Sequence, residues 1–297
     1  ENRRAGDYVI DKPEEYDYFV KKIMPYDRYP VFSMYGPDSS TGKAKRFGMF
    51  NGETDAGGNK LFGLFTYRRI VNSAYFKDGF APYDVTMLNW PQNDYFFGNT
   101  FDDIRRDEHR YLAKQLTKSF FYWLQTEAPN GDKKGYPFFA PSPESAGTDD
   151  GMTKTYYVRE SRRIRAKFTV REQDLTDGNP DFYDSVGVGS YPIDLHITTK
   201  THSFFYKPSK RFTIPLGAMI PVRIKNLIPA CKNIGTTHLT GGCYRLHPVE
   251  WSVGEAAGFL ASYAIDRNCE IGEVREDGNK LNDFLDLLRE NGVQTHW

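Results

Sequence analysis

The stretch Ile214–Ile265 reads IPLGAMIPVRIKNLIPACKNIGTTHLTGGCYRLHPVEWSVGEAAGFLASYAI, and the interpretation of the chain starts from it. It opens with an apolar run bounded by prolines, Ile214–Pro221, and a second run, Asn226–Ala230, is predicted as a buried strand. A small polar loop, Asn233–Gly242, comes next. The apolar segment Glu255–Ile265 contains no proline and predicts a buried helix. The order of elements is therefore strand, loop and buried helix.

The predicted start of that helix is made of very small residues. The run Gly254–Gly258 (GEAAG) lets a backbone or a flat ligand come close. The free N–H groups and positive dipole end of a helix start suit an electron-rich or anionic group. Pro248 fits just before or at the first turn, and Arg245, His247 and Glu250 cluster at the same end. Small residues can equally serve only to pack the helix tightly on a sheet, with the charged residues capping it.

Several motifs occur along the chain in a fixed order. They are Phe65–Ile70 (FTYRRI), Asn89–Tyr95 (NWPQNDY), Val158–Ile164 (VRESRRI), Gly189–His196 (GSYPIDLH), Ile214-Pro215, Leu227, Asn233–His238 (NIGTTH), Arg245–Trp251 (RLHPVEW) and Gly254–Gly258. As a set they resemble the C-terminal, flavin-contacting portion of FAD-dependent oxidoreductases with glutathione-reductase-like architecture. More narrowly, they resemble a large bacterial group of such enzymes. The resemblance covers most of the chain, from Lys45 to its end.

The resemblance implies FAD as cofactor and hydride transfer from a small-molecule substrate to flavin N5. The residues expected to contact the cofactor lie in and after the NIGTTH motif: Gly235, Thr236, His238, Arg245, Pro248, Gly254, Glu255 and Ala256. The catalytic base is expected among His196, His238 and His247, with Arg245 beside the flavin. Asn93, Tyr95 and Arg159 are candidate substrate-binding residues.

The glycine turn with which such enzymes begin is missing from the sequence. That turn, G-x-G-x-x-G, cradles the FAD pyrophosphate. Gly187-Val-Gly189 comes closest, but Pro192 stands at the third glycine position and no helix pattern follows. We therefore expect the C-terminal part of such an enzyme, as a fragment or as a natural subunit. Its flavin site would be completed by a homodimer or by a partner chain that carries the turn.

Composition narrows the classes of partner. Lys plus Arg and Asp plus Glu both total 39, so a bulk nucleic-acid or membrane-surface binder is not expected. No apolar run approaches the ~18 residues of a membrane span, and no signal peptide is visible; the compartment stays open. Cys231, Cys243 and Cys269 show no metal or disulfide spacing, and we expect buried thiols. The 20 Tyr and 22 Phe indicate aromatic cores or a site for a flat ring or a sugar.

Periodicity predicts further elements. Helices are expected at Glu14–Met24, at Asp102–Glu127, and at Asn279–Asn291 with Gly292 as its end. Strand patterns occupy Phe47–Phe50, Leu61–Phe65, Phe65–Val71, Val85–Asn89, Thr153–Val158, Ile164–Val170 and Ser190–Thr198. The fold class expected is α+β (α/β), with a mixed or antiparallel substrate-domain sheet and packed helices. The resemblance adds the C-terminal strand and helix of a Rossmann-like FAD-binding domain. The domains expected are 1–44 (irregular), 45–210 (substrate), 211–270 (FAD-binding) and 271–297 (closing helix).

Three local patterns each allow two interpretations, one functional and one structural. Asp194 and His196, at i and i+2 of a predicted strand, project to one face, and a histidine beside a carboxylate can be a general base. A structural histidine is the alternative. The loop carrying Asn93 and Tyr95 can orient a hydroxylated substrate or simply make an Asx turn. The basic face of Ile164–Val170 suits phosphate or plain solvent.

The alternative to a flavoenzyme is a non-enzymatic, aromatic-rich binding module, for example for carbohydrate. Such a module would explain the Tyr, Trp and Asn/Asp loops without a dinucleotide site. It does not need the small-residue helix beside Arg245 and His247, so that feature favours the flavoenzyme.

Overall fold

A computed structural model of the chain describes residues 6–160 and 162–297. The chain divides into two compact units. The first extends to Tyr156 and also contains His196–Phe204; the second comprises Tyr157–Leu195 and Phe205–Trp297. The expected domain boundaries after residues 44, 210 and 270 do not coincide with these breaks. As a division by function they stay predictions.

The first unit combines short antiparallel strand pairs with one long helix. Its elements in chain order are α1 (Tyr16–Phe19), β1 (Tyr35–Pro37), β2 (Ala44–Arg46), α2 (Leu64–Tyr67), β3 (Arg69–Val71), β4 (Val85–Thr86), α3 (Arg106–Thr126), β5 (Pro129–Asn130), β6 (Lys133–Lys134) and α4 (Pro143–Ala146). The strands β1 and β2, β3 and β4, and β5 and β6 form the pairs. Short 3-10 turns lie at Ser73–Tyr75 and Pro91–Asn93.

Helix α3 supplies the centre of the first unit's core. Leu116, Phe120 and Leu124 on one face are buried, and Trp90 packs edge-on against Phe120. The helix was predicted, but its start at Asp102 is wrong. Residues 102–105 form turns instead, and Ile104 is 100% exposed. The side chains of Asn99 and Asp103 accept hydrogen bonds from nearby backbone N–H groups, and such local bonds compete with a helix.

Two strand predictions before residue 70 are wrong. Instead of strands at Phe47–Phe50 and Leu61–Phe65, the structure has a single parallel bridge between Gly48 and Gly63, followed by α2. The carboxylate of Glu53 accepts hydrogen bonds from the N–H groups of residues 49 and 50, so these donors are not available to a partner strand. Helix α1 is likewise shorter than the predicted Glu14–Met24.

Two further strand predictions are only partly right: Phe65–Val71 divides between α2 and β3, and Val85–Asn89 shrinks to β4. A third, Thr153–Val158, is wrong, because that segment contains no strand. Most of the affected residues are held by turns and loops. Apolar and aromatic content alone therefore overstated the strand content of the first unit.

The second unit contains two antiparallel strand pairs and a set of packed helices. Its elements are α5 (Glu172–Thr176), β7 (Ser185–Gly189), β8 (Ile193–Leu195), β9 (Phe205–Lys207), β10 (Phe212–Pro215), α6 (His238–Tyr244), α7 (His247–Asp266), α8 (Ile271–Glu276) and α9 (Gly278–Glu290). Strand β7 pairs with β10, and β8 pairs with β9. Helices and small antiparallel sheets together make the fold mixed α+β.

Helix α7 packs directly on strand β7. A Cβ atom at Gly189 would lie 2.9 Å from Val249 Cγ2, and one at Gly187 would lie 3.0 Å from Ser252 Cβ. The two glycines therefore allow the strand to lie close beneath the helix. This is the structural role of the Gly187-Val-Gly189 sequence that superficially resembles a nucleotide-binding turn.

The helix start predicted at Gly254–Gly258 is wrong. Helix α7 begins at His247, so GEAAG lies in its middle, while Pro248 occupies the first turn as expected. Helix α9 confirms the closing amphipathic helix: Leu281, Phe284, Leu285 and Leu288 are buried. Gly292 follows with φ of 79°, the left-handed conformation that ends helices.

The apolar run Ile214–Pro221 is buried throughout and contains the end of β10 and a 3-10 turn at Leu216–Ala218. Asn226–Ala230 is not a buried strand but a largely exposed loop, and Leu227 is 42% exposed. The expected loop Asn233–Gly242 contains the start of α6, because Thr237 caps that helix through the N–H of Thr240.

The alternation in Ile164–Val170 appears as burial rather than as a strand. Ile164, Ala166 and Phe168 are half-buried, whereas Arg165 and Lys167 are exposed. Single bridges at Ala166 and Val170 are the β-type pairing present there. Among the described residues, no helix combines the length and apolar character needed to cross a bilayer.

Candidate functional site

The predicted functional residues fall into two groups, one in each unit. The first unit holds Asn93, Tyr95 and His196. The second holds Arg159, Gly235, Thr236, His238, Arg245, His247, Pro248, Gly254, Glu255 and Ala256. Each group is described below within its own unit.

Arg245 is the most deeply buried charged member of the second group. It follows the last residue of α6 and is 7% exposed. Its Nη2 lies 3.0 Å from the backbone oxygen of Asp194 and 3.3 Å from that residue's Oδ2. Its Nε lies 3.2 Å from Oε1 of Glu160. Burial alone lowers the pKa of the guanidinium, but the two carboxylates outweigh it and raise the pKa above its ordinary value. The chain thus holds a permanent cation in its interior.

The polar atoms around Arg245 are incompletely satisfied. Within residues 6–160 and 162–297, Arg245 Nε and Glu160 Oε1 are buried without a well-aligned hydrogen bond, despite being 3.2 Å apart. The hydroxyl of Thr236 is buried in the same unpaired state. A Cβ atom at Gly241 would lie 3.6 Å from this hydroxyl and 4.0 Å from Glu160 Cγ. Buried polar atoms are normally paired, so this cluster has hydrogen-bonding capacity to spare.

Two cationic side chains lie close to the ring of Tyr157, beside this cluster. Lys232 Nζ lies 4.5 Å from the ring centroid and donates to the backbone oxygen of Val158 at 2.7 Å. The guanidinium carbon of Arg159 lies 5.9 Å from the same centroid. Tyr157 also lies close enough to Arg245 to help raise the pKa of its guanidinium. Arg159, predicted from the VRESRRI motif, is therefore brought into the neighbourhood of Arg245 through Tyr157.

The first turn of α7 presents His247 and Pro248 to solvent. In the same turn the Glu250 carboxylate accepts hydrogen bonds from the thiol of Cys231 and the backbone N–H of Lys232. Burial and the bond to Glu250 raise the pKa of the Cys231 thiol. Cys231 is nonetheless exposed and Cys269 half-buried; of the three expected buried thiols, only Cys243 is buried.

The remaining second-unit residues divide into backbone and surface positions. Gly235 is buried, donates to the Ala218 oxygen at 2.7 Å, and leaves no room for a Cβ atom, which would lie 2.4 Å from the Phe168 oxygen. Gly254 runs close to the backbone oxygen of Ala230. Ala256 is buried, whereas Glu255 and His238 are exposed.

In the first unit, Asn93 and Tyr95 make specific internal bonds. The Asn93 side chain accepts from the N–H of Trp90 at 2.9 Å and donates to the Leu88 oxygen at 3.0 Å. These bonds stabilise the 3-10 turn. The Tyr95 hydroxyl lies 2.9 Å from Nδ1 of His109, and burial raises the pKa of Tyr95 to about 12.

His196 pairs with a different carboxylate from the one expected. Its Nδ1 lies 2.6 Å from Oδ2 of Asp94, and the edge of the ring meets Phe204. Asp194, the expected partner, contributes its carboxylate to Arg245 and to the Tyr191 hydroxyl. Strand β8 ends at Leu195, so the alternation that would place residues 194 and 196 on one face does not extend to His196. The pairing with Asp194 is corrected; a histidine–carboxylate pair exists, but with Asp94.

Sequence reasoning missed Glu160, Tyr157 and the true role of Asp194. Glu160 had one visible signal, because it is the lone acid in a run of arginines, Arg159-Glu-Ser-Arg-Arg163. Neither Tyr157 nor Asp194 shows any local sign of its contact with Arg245, which lies more than 50 residues away in sequence for Asp194.

Comparison with known families identifies the chain. The model of a family described as FAD dependent oxidoreductase matches residues 14–285, which is most of the chain. The chain therefore belongs to the FAD-dependent oxidoreductase family, and its cofactor is FAD. Neither the curated proteins nor the solved structures contain a match.

The residues around Arg245 fit part of this cofactor. A buried cation, a carboxylate oxygen and a hydroxyl with unused hydrogen-bonding capacity suit the polar edge of a flavin ring. The described residues do not fit the pyrophosphate of FAD. The strand pairs of the described residues are antiparallel, and the glycines of β7 pack against α7 rather than opening a turn. The described part of the chain thus fits the flavin end of FAD.

Proposed function

We propose that the chain forms the flavin end of an FAD-dependent oxidoreductase that oxidises a small molecule by hydride transfer. When bound, FAD supplies the acceptor for the hydride, at flavin N5. The observation that carries the proposal is the buried Arg245, whose neighbours keep unpaired polar atoms within a chain of this family. The substrate is proposed only as a small molecule with an oxidisable C–H bond.

The second unit would position the cofactor and stabilise negative charge near it. Arg245 is held by Glu160 and Asp194 from two different segments, so its charge is fixed before any ligand arrives. A cation that is already in position stabilises developing negative charge more strongly than one that must move into place. Gly235 and Gly254 keep neighbouring backbone segments close, and Thr236 adds a hydroxyl. His238, Pro248, Glu255 and Ala256 remain proposed contacts without such support.

Removal of the substrate O–H or N–H proton requires a base, and two histidines remain proposed for it. His247 is exposed in the first turn of α7. His196 has its Nδ1 held by Asp94, an arrangement in which a carboxylate fixes the orientation of an imidazole. Asn93, Tyr95 and Arg159 remain the proposed substrate contacts.

A Rossmann-like strand and helix are part of the same proposal. Strand β10 and helix α7 would represent the C-terminal part of an FAD-binding domain. A glycine turn for the pyrophosphate would come from outside the described residues, either from a longer form of this chain or from a partner chain. The aromatic-rich binding module has less support, because many aromatic side chains of the first unit build its core, among them Tyr16, Phe19, Phe32, Phe50, Trp90, Phe120 and Trp123.

A visible absorption spectrum tests the proposal. The purified chain is recorded before and after incubation with FAD, and again after desalting. Flavin bands that survive desalting are expected, and bleaching of those bands then allows substrates to be screened. A colourless protein that ignores FAD in excess would overturn FAD binding by this chain alone. Repeating the incubation with candidate partner chains then tests the shared site.

Arg245→Lys is the matched variant, with Arg275→Lys as its control. Both arginines pair with largely shielded carboxylates of the second unit, so both substitutions perturb similar surroundings. Lysine keeps the charge but loses the planar guanidinium. Weaker FAD retention is expected for Arg245→Lys alone.

A further inference from the structure

Two polar atoms in the second unit form an ion pair but make no aligned hydrogen bond within the described residues. Arg245 Nε carries an N–H donor, and Glu160 Oε1 is an acceptor 3.2 Å away. Neither has a well-aligned hydrogen bond within the described residues, and both are buried. An acceptor and a donor placed side by side complement a cyclic amide or imide, whose N–H and C=O groups are also adjacent.

We propose that Glu160 binds the imide edge of the flavin ring, with its Oε1 accepting a hydrogen bond from flavin N3–H and Arg245 Nε donating to an adjacent carbonyl. The inference rests on the proposed function, since it names a residue of the same flavin site. It adds Glu160, which none of the motif-based expectations singled out. No covalent or redox step is involved.

The hydroxyl of Thr236 extends this edge. It is the third unpaired buried polar atom of the cluster, and the position of a Cβ atom at Gly241 would touch both this hydroxyl and Glu160 Cγ. An imide presents acceptor, donor and acceptor in a row. Arg245 Nε–H, Glu160 Oε1 and the Thr236 hydroxyl can supply the complementary donor, acceptor and donor.

Access to this edge requires a side chain to move. Both Arg245 Nε and Glu160 Oε1 are shielded from solvent. Tyr157 lies beside Arg245 and is itself 48% exposed, so its side chain can rotate outward without leaving a packed core. Tyr157 is therefore the residue that a bound flavin would displace.

The test compares FAD with 3-methyl-FAD, which cannot donate from N3. Binding of each is measured by isothermal calorimetry for the wild-type chain, Glu160→Gln and Glu160→Ala. A hydrogen bond to a charged acceptor corresponds to a preference of about tenfold to a hundredfold, so the wild type should prefer FAD by that factor. Both variants should lose most of the preference, because the analogue's methyl group then removes no bond to a carboxylate. Comparing the ratios cancels effects that the methyl group exerts elsewhere.

Glu250→Gln is the control variant, since Glu250 is another half-buried carboxylate of the second unit whose bonds go to Cys231 and Lys232. It should keep the wild-type preference. An unchanged preference in the Glu160 variants, with FAD still bound, would overturn the role of Glu160 alone. No binding of FAD to the wild type would overturn the proposed function and this inference with it.

A second measurement does not depend on the stability of the variants. In the wild-type chain loaded with FAD labelled with ¹⁵N at N3, the N3–H signal should be protected from exchange with water. A rapidly exchanging N3–H would show that no protein acceptor holds it, and the inference would be overturned.

Discussion

The second unit contains two largely shielded arginine–carboxylate clusters that differ in how completely they are paired. Around Arg275, the Asp184 Oδ2 atom accepts from the guanidinium Nε at 2.6 Å and from the N–H of Gly217 at 2.9 Å. Around Arg245, two carboxylates are present, yet the guanidinium Nε and Glu160 Oε1 have no aligned bond. The first cluster uses its bonds to join α8 to the turn after β10. The second has atoms left for a ligand.

The completeness of pairing distinguishes a structural arginine from a ligand-binding one more clearly than the extent of burial does. Both arginines are largely shielded, and both face a carboxylate that lies far away in sequence. Burial and charge alone would therefore assign them the same role. The unsatisfied atoms distinguish them, because a fully paired cluster gains nothing from a ligand, whereas an incompletely paired one does.

Removing the arginine side chain should produce the largest effect. Arg245→Met leaves the largely shielded carboxylates of Glu160 and Asp194 without their cation, and the free energy of unfolding should fall by about 3–5 kcal/mol. Arg275→Met strands Asp184 in the same way and should lie at the lower end of that range, because Arg275 is more exposed. Urea unfolding followed by circular dichroism measures both. FAD affinity of the folded protein should fall only for Arg245→Met; an equal loss in Arg275→Met would break the comparison.

Neutralising the carboxylates should give a smaller and unequal effect. Asp184→Asn weakens two good bonds to a buried oxygen and should cost about 3 kcal/mol. Glu160→Gln should cost only about 1 kcal/mol, because Oε1 has no aligned bond to lose and Arg245 keeps Asp194. Thermal and urea unfolding of the two variants decide the order. A Glu160→Gln variant as unstable as Asp184→Asn would mean that the pair is structural after all.

Local periodicity predicted the parts of the fold that depend on it. The stripe of Leu281, Phe284 and Leu288 defined α9, and the apolar period of α3 was visible from its aromatic residues. The first-turn position of Pro248 was also predicted correctly. In each case the pattern lies within a single element, where burial of one face follows from sequence spacing.

Predictions failed where neighbours along the chain compete for backbone bonds. The Glu53 carboxylate takes two N–H groups that a strand would need, and the turns before α3 take others. Asn226–Ala230 is apolar enough for a strand, but Pro229 cannot donate to a ladder, and the loop remains exposed. Composition contains no information on such competition.

The candidate site was only half visible in the sequence. Arg245 stood out within its motif, but its partners Glu160 and Asp194 come from segments that folding alone brings together. Asp194 was instead assigned to His196, from a strand alternation that ends one residue too early. Long-range pairing of charges cannot be derived from spacing, and it is what defines this site.

A cluster near the surface, in which one carboxylate lies between two cations, extends the comparison to a less buried site. In the first unit, Asp150 lies between Lys114, at 2.6 Å, and Lys118, at 3.3 Å. This is one anion between two cations, at the surface. Because solvent screens it, Asp150→Asn should lower the free energy of unfolding by about 1 kcal/mol or less. A loss as large as that of Arg245→Met would mean that burial does not control these clusters.

The same aspartate should produce a pH dependence. The hydrogen bond from Lys114 is the main cause that lowers the pKa of Asp150, to about 2 from 3.8. Its contribution to stability should therefore be complete above pH 3.8 and be lost as the pH falls toward about 2. Urea unfolding of wild type and Asp150→Asn should differ at pH 6 and converge in acid. High salt should reduce the difference.

The smallest expected effect is a change in thiol reactivity near Arg245. Cys231 is exposed, but burial and the Glu250 carboxylate raise its pKa, so it should react slowly with a thiol reagent at neutral pH and faster in base. Bound FAD should slow the labelling of Cys231 further, by about twofold to fivefold, because the ligand would restrict the space around the neighbouring Tyr157 and Lys232.

Two other thiols serve as internal controls for that experiment. Burial raises the pKa of Cys243 to about 12, so this thiol should not react in the folded chain, with or without FAD. Cys269 precedes α8, the helix that carries Arg275, and its labelling rate should not respond to FAD. Mass spectrometry of the labelled peptides measures all three rates in a single reaction. Protection of Cys269 rather than Cys231 would place the ligand beside the completely paired cluster, and the reason for distinguishing the two arginines would then be lost.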